Sequence, residues 1–178
     1  MIQHLIYLAL LLVLPIAAHL RWASPSRLFA VATLCFGLIA VVSAVEYRAF
    51  LSEVLARNEI GQTRYVVARV GSFAVGAAVV MAAITIVVWL QERFAAMFYP
   101  RVTKALFWLI HSAILIWSFW PVLIWPHDLP RRYIDYADRF ETLYRVGSAS
   151  SFAGCVGVVA IAVLAIWSVI RRVRSKTP

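Results

Sequence analysis

The stretch "ALFWLIHSAILIWSFWPVLIWP", residues 105–126, decides the fold class, because it contains no Asp, Glu, Lys or Arg from end to end. A helix needs about 20 apolar residues to cross the hydrocarbon core of a bilayer. In that core every backbone amide and carbonyl must find its partner within the protein, and a helix achieves this within one segment. The stretch therefore predicts a transmembrane helix.

Four further runs share this character, and they lie at residues 1–20, 28–45, 70–90 and 146–170. The chain as a whole is 63% hydrophobic and 14% charged, with a mean hydropathy of +0.86, whereas a soluble domain is nearer half apolar. The first run lacks the Lys or Arg that precedes the apolar part of a signal peptide, and it offers a poor site for signal peptidase. We therefore predict that it is a retained helix rather than a signal peptide. We predict an all-α integral membrane bundle of five transmembrane helices, forming one domain over residues 1–178.

The basic residues indicate how the bundle is oriented. The formal net charge is +9, but Lys and Arg lie in the gaps between apolar runs, which favours membrane topology over nucleic-acid binding. Residues 21–27, 91–104 and 171–178 carry nine Lys or Arg and one acid, whereas the longer gaps on the other side carry eight Arg and seven acids. We predict a multi-pass protein of a bacterial-type inner (plasma) membrane, with its N-terminus outside and its C-terminus in the cytoplasm.

The two longer gaps carry helical patterns of their own. The second helix is expected to continue past its apolar run until Gly61. The segment "LPRRYIDYADRFETLYRVG", residues 129–147, predicts an extracytoplasmic amphipathic helix that begins near Pro130 and breaks at Gly147. Its aromatic face consists of Tyr133, Tyr136, Phe140 and Tyr144. Anchoring in the headgroup layer is the simpler role for this helix, and a docking surface or a lid is the alternative.

Small residues at helical spacing predict close contacts between helices, because they let backbones approach each other in lipid. The residues concerned lie in the third and fifth runs, and they are Ser72, Gly76, Gly147, Ser151, Gly154 and Gly157. Contacts within one chain and contacts between copies are both open at this stage. The bulky fourth run, with several Trp and Phe side chains, is expected on the outside of the bundle.

The chain has four histidines: His4 and His19 lie in the first run, His111 lies inside the fourth run, and His127 directly follows it. This arrangement resembles that of membrane b-type cytochromes, and the resemblance would imply a haem held between facing histidines. Depth argues against it, because His111 lies roughly 10 Å inside its helix while His19 lies at the end of its own. The other two histidines lie at the outer rim. We therefore predict no haem and no metal ion.

Glu46 and Arg69 flank the same outer gap, directly after the second run and directly before the third. Adjacent antiparallel helices would bring the two residues to nearly equal depth. A charge at the rim of the hydrocarbon costs less when it is paired, so we predict an ion pair between them. The alternative is that each side chain extends separately to water.

No catalytic or nucleotide-binding motif occurs in the sequence, and the runs carry no carboxylate or ammonium group of the kind that marks proton and ion carriers. We predict a non-catalytic protein, a small subunit or scaffold of a larger membrane assembly. Its partners would be lipid and either other membrane subunits or further copies of the chain. Two alternatives stay open: a small permease or channel for a neutral or apolar solute, and a b-type haem electron carrier.

Overall fold

The computed structural model describes residues 2–22, 24–57, 64–94, 96–124 and 141–175. Within these ranges the chain forms five α-helices, which confirms the all-α prediction. They are α1 (Ile2–Arg21), α2 (Pro25–Arg57), α3 (Arg64–Arg93), α4 (Pro100–Ile124) and α5 (Glu141–Arg174). The chain divides into two compact units, Met1–Ile86 and Val87–Pro178.

Four of the helices are long and apolar enough to cross a membrane, as expected for a multi-pass membrane protein. The apolar segments concerned are Pro25–Glu46, Phe73–Arg93, Pro100–Phe119 and Arg145–Arg174. The apolar part of α1, Leu5–Arg21, is shorter, so the fifth predicted span is not established by length and composition.

Several helix ends follow from local chemistry. Both α2 and α4 begin at a proline, Pro25 and Pro100, whose missing N–H is no loss in a first helical turn. As expected, α2 continues beyond its apolar run and reaches Arg57, while Gly61 lies outside the described residues. The last turn of α5 carries three arginines, a favourable place for positive charge at the negative end of a helix dipole.

The predicted break at Gly147 is wrong, because α5 runs without interruption from Glu141 to Arg174. A glycine inside a helix costs about 1 kcal/mol relative to alanine, which is too little to interrupt a segment this apolar. Two local contacts accompany the continuous helix: Ser150 donates to the carbonyl of Gly147 at 2.7 Å, and Arg145 pairs with Glu141 at 2.6 Å. The predicted amphipathic helix lies outside the described residues up to position 140, and its remaining residues belong to α5.

In the first unit, α1 packs against α2. Tyr7 and Leu11 of α1 are buried, as are Phe29 and Phe36 of α2. Phe36 also meets Phe73 of α3 edge to face, with the ring centroids 6.5 Å apart. The contacts place apolar side chains of all three helices in one packed region.

In the second unit, α4 packs closely against α5. The expectation that α4 lies on the outside of the bundle is wrong for one of its faces, where Phe107, Ile110 and His111 are fully buried. The physical reason is complementarity of size: α5 supplies small residues where α4 supplies large ones. Trp117, two turns further along α4 from Ile110, is exposed.

Candidate functional site

The contact between α4 and α5 is built on two glycines of α5, and we call it the α4–α5 seam. A Cβ atom added at Gly157 would lie 2.6 Å from Cγ1 of Ile110, and one added at Gly154 would lie 3.2 Å from Cβ of Ala113. Since carbon atoms pack at about 3.5–4.0 Å, only glycine fits at position 157 without displacing Ile110. These glycines therefore face a helix of the same chain.

The other predicted packing residues have different surroundings. Gly147 is buried, whereas Ser151 is exposed. Gly76 is exposed on α3, and an added Cβ would meet no described heavy atom within 4 Å. The side chain of Ser72 lies outside the described part of the structure. The structure thus places some of these residues at an intramolecular contact and leaves the space around Gly76 open.

His111 is a buried polar residue on the α4 face that packs inward, with 0% of its surface exposed. Its ring stacks on Phe107, one helical turn earlier, at 5.1 Å between centroids with an interplanar angle of 13°. Trp108 approaches the same ring edge to face at 5.9 Å. The imidazole is thus held by aromatic rings on its own helix, a geometry that fixes its orientation and keeps it away from water.

Among the described residues, the other three histidines form no site with His111. His19 lies near the end of α1 in the other unit and is half-buried. His127 and the side chain of His4 lie outside the described residues. Among the side chains that are described, no three His, Cys, Asp or Glu residues come together as metal ligands. The absence of haem stays a prediction, since a haem requires only two histidines.

Glu46 lies at the end of the apolar segment of α2 and is exposed. Tyr7 of α1 donates a long hydrogen bond to its Oε2 atom, at 3.5 Å. Because Tyr7 is near the start of α1, this bond brings the first turns of α1 beside the far end of the α2 span, so the two helices run antiparallel. The side chain of Arg69 is outside the described part, and its pairing with Glu46 stays a prediction.

A polar contact that the sequence did not predict joins α2 and α3. The hydroxyl oxygens of Thr33 and Thr85 lie 3.2 Å apart. Each is also within bonding distance of a carbonyl of its own helix, Phe29 at 2.9 Å for Thr33 and Met81 at 2.7 Å for Thr85. Two hydroxyl protons cannot serve three bonds at once, so one threonine donates to the other while the second donates to its own helix. Such contacts contribute on average ~0.6 kcal/mol between membrane helices.

Several other hydroxyls of the described apolar segments donate to a carbonyl of their own helix. Ser112 donates to the carbonyl of Trp108 at 2.6 Å, and Ser118 to that of Ile114. A hydroxyl that donates to a carbonyl of its own helix has its hydrogen bond satisfied there, so it is not free to bind a solute in a channel. The arrangement gives no support to the permease or channel alternative.

One end of the second unit gathers aromatic and basic residues. Arg171, near the end of α5, donates from Nη1 to the hydroxyl of Tyr99, just before α4, at 2.8 Å. Its guanidinium carbon also lies 5.0 Å from the ring centroid of Phe98. The bond brings the end of α5 and the start of α4 to the same end of this unit, as the charge pattern predicts.

Comparison of the chain with models of protein families, with curated proteins and with solved structures found no match.

Proposed function

We propose that this chain is a non-catalytic integral protein of an inner (plasma) membrane and that it serves as a small subunit or scaffold of a larger membrane assembly. The observation that carries the proposal is the position of Gly76. A glycine destabilises a helix relative to alanine. In membrane helices, glycine is enriched where a neighbouring helix approaches closely. Gly157 has such a neighbour in Ile110, but Gly76 has none among the described residues.

The surroundings of Gly76 suit the approach of a helix from another chain. Val75, Val79 and Val80 are exposed around it, so the glycine forms a notch between β-branched side chains. Membrane helices associate through small residues that let two backbones come close, while flanking branched side chains pack around the contact. The partner helix could come from another subunit or from a second copy of this chain.

Replacing Gly76 by leucine tests this role. The described part of the chain leaves room for the new side chain, so we expect normal yield and an unchanged melting temperature. Recovery of partner chains in mild detergent should fall about fivefold or more, because forcing a leucine side chain into a close helix contact costs ~1–3 kcal/mol. The measurement is the composition and size of the purified complex.

Gly37→Leu is the matched control, since an added Cβ at Gly37 also meets no described atom within 4 Å. Gly37 differs from Gly76 in being half-buried and in lying between exposed leucines, Leu34 and Leu38, which are more flexible than the valines around Gly76 and form no rigid notch. That variant should keep the partners. Wild-type recovery of partners in Gly76→Leu would remove the support for an assembly role at this face.

The proposal includes five crossings, with α1 as the first. At about 1.5 Å per residue the 20 residues of α1 extend ~30 Å, enough for the hydrocarbon core. The bond from Tyr7 to Glu46 supports an antiparallel hairpin of α1 and α2, which suits two successive crossings. The nine basic residues of the shorter gaps and the tail support a cytoplasmic C-terminus and an outer N-terminus.

Cysteine labelling distinguishes five crossings from four. In a background of Cys35→Ala and Cys155→Ala, we expect Gln3→Cys to react with a membrane-impermeant maleimide in intact spheroplasts. Thr177→Cys should react only after the cells are lysed. If α1 did not cross, the two positions would share one side and react together, and labelling of Thr177→Cys from outside would reverse the proposed orientation.

A further inference from the structure

A groove opens on the second unit between the last turns of α3 and the last turns of α5. Its volume is about 600 Å³, within the range of small-molecule sites. The walls are apolar and include Val87 and Leu90 of α3 and Ile166 and Val169 of α5. The groove follows α5 from Ala165 to Val173, a length of ~12 Å along the helix axis.

Two polar residues, Gln91 and Arg172, also line this groove, and each lies two residues before its helix ends. The groove therefore has a polar mouth at the ends of the helices and an apolar interior that extends toward the middle of the membrane segment. A phospholipid has the same division, with a charged headgroup at the surface and acyl chains beneath it.

The guanidinium groups of Arg171 and Arg172 differ in their hydrogen bonds. Arg171 bonds to Tyr99 and lies over aromatic rings, whereas Nη1 of Arg172 is buried without an acceptor anywhere in the described part of the chain. A buried donor with no acceptor costs free energy comparable with a lost hydrogen bond. A phosphate at the mouth could accept from this guanidinium after a small rotation of the side chain, in the bidentate geometry that arginine favours.

The positive charge around the mouth of the groove favours a negatively charged ligand. The ends of α3 and α5 and the start of α4 carry several cations and one acid, Glu92, among the residues that the structure describes there. The cations are Arg93, Arg101, Lys104, Arg171, Arg172 and Arg174. Basic pockets between membrane helices typically hold anionic headgroups, because the local potential attracts them.

We propose that this groove binds one anionic phospholipid, with an acyl chain between α3 and α5 and its phosphate on Arg172. The lipid would complete the surface of the second unit, since it covers apolar side chains that α4 does not reach and gives the Arg172 guanidinium an acceptor. This proposal is independent of the assembly role of Gly76, because the two features lie in different units.

The test uses the full chain in nanodiscs with equal amounts of phosphatidylglycerol and phosphatidylcholine, followed by native mass spectrometry to count retained lipids. Wild-type protein should retain one phosphatidylglycerol per chain in preference to phosphatidylcholine. Arg172→Gln should lower that retention about tenfold, because it removes a charge-assisted bond to phosphate. Arg101→Gln, which removes an exposed charge at the same end outside the groove, should change it less than about twofold.

A second variant probes the apolar part of the groove without changing charge. Ala165→Phe places a ring in the space assigned to the acyl chain and should also lower retention, whereas Val163→Phe, on an exposed position outside the groove, should not. Melting temperature and elution volume verify that each variant folds. A further variant, Arg172→Lys, keeps the positive charge and should retain an intermediate amount of lipid.

Three results would overturn the proposal. Equal retention by Arg172→Gln and Arg101→Gln would mean that only general surface charge attracts the lipid. Equal stabilisation of the wild type by inorganic phosphate and by phosphatidylglycerol would assign the mouth to a free anion. Loss of a co-purifying protein from Ala165→Phe, with lipid retention unchanged, would assign the groove to a partner chain.

Discussion

Gly157→Leu is expected to abolish folding or to leave only a small fraction of monodisperse protein. Even the first carbon of the new side chain would lie 2.6 Å from Cγ1 of Ile110, and Ile110 is 1% exposed, so it has little room to move. Overpacking a core by a few carbons costs ~1–3 kcal/mol and occasionally more, which is a large share of a typical stability. The measurement is the yield of monodisperse protein on a sizing column and its melting temperature.

A double-mutant cycle shows whether the contact with Ile110 is the cause. Gly157→Ala should destabilise the wild-type chain, but in an Ile110→Ala background the clashing atom is gone. There the same change should be neutral or even stabilising, because alanine exceeds glycine in helix propensity by ~1 kcal/mol. A purely additive cycle would mean that the α4–α5 seam does not close at this point.

Gly154→Ala is the milder control on the same helix. Its Cβ would lie 3.2 Å from Cβ of Ala113, so that methyl group must yield by only a few tenths of an ångström. We expect a smaller loss of stability than for Gly157→Ala. The reverse order would indicate that α4 and α5 are closest at Gly154 rather than at Gly157.

His111→Arg is the second change with a large expected effect. The position is fully buried near the middle of the apolar segment Pro100–Phe119, and a permanent positive charge at the centre of a membrane helix costs ~2.5–3.5 kcal/mol. The guanidinium is also too long to occupy the place of an imidazole stacked on Phe107. We expect most of the protein to be lost from the membrane fraction or to aggregate in detergent.

His111→Phe is the matched variant, since it keeps a flat ring against Phe107, replaces the polar nitrogens by carbon and enlarges the ring by one atom. Its melting temperature should stay close to that of the wild type. Normal stability of His111→Arg would mean that water reaches this position and that the site is not dry.

Absorption spectra of the same proteins test the prediction that no haem is bound. The wild type should show no Soret band. A stoichiometric band that disappears in His111→Phe would identify His111 as an iron ligand and would contradict the depth argument. The prediction of a non-catalytic assembly subunit would then give way to the electron-carrier alternative.

Part of the candidate site could be predicted from single residues. Gly154 and Gly157 stand out in the sequence because each follows another small residue by four positions, Ser150 and Ala153, a spacing that lets membrane helices approach closely. His111 stands out as the one histidine at depth in an apolar run. The contact between Thr33 and Thr85 could not be predicted, since threonines 52 positions apart give no local pattern that pairs them.

The sequence by itself determined the helices. Apolar runs of about 20 residues must close their backbone hydrogen bonds locally in lipid, so hydropathy alone predicts where α2, α3, α4 and α5 cross. The charges between the apolar runs likewise predict which helix ends lie on the same side of the membrane. In the second unit, the bond between Arg171 and Tyr99 agrees with this prediction, because it joins the end of α5 to the start of α4.

Only the tertiary structure decided which face of each helix meets protein. In a membrane the lipid-facing and the protein-facing sides are equally apolar, so periodicity does not separate them as it does in water. Hence Phe107 of α4 was expected toward lipid and is buried, while Gly76 was expected at a helix contact and is exposed. The choice between those faces depends on the fit of large side chains on one helix to small residues on another, as between Ile110 and Gly157, and that fit exists only once the two helices are side by side.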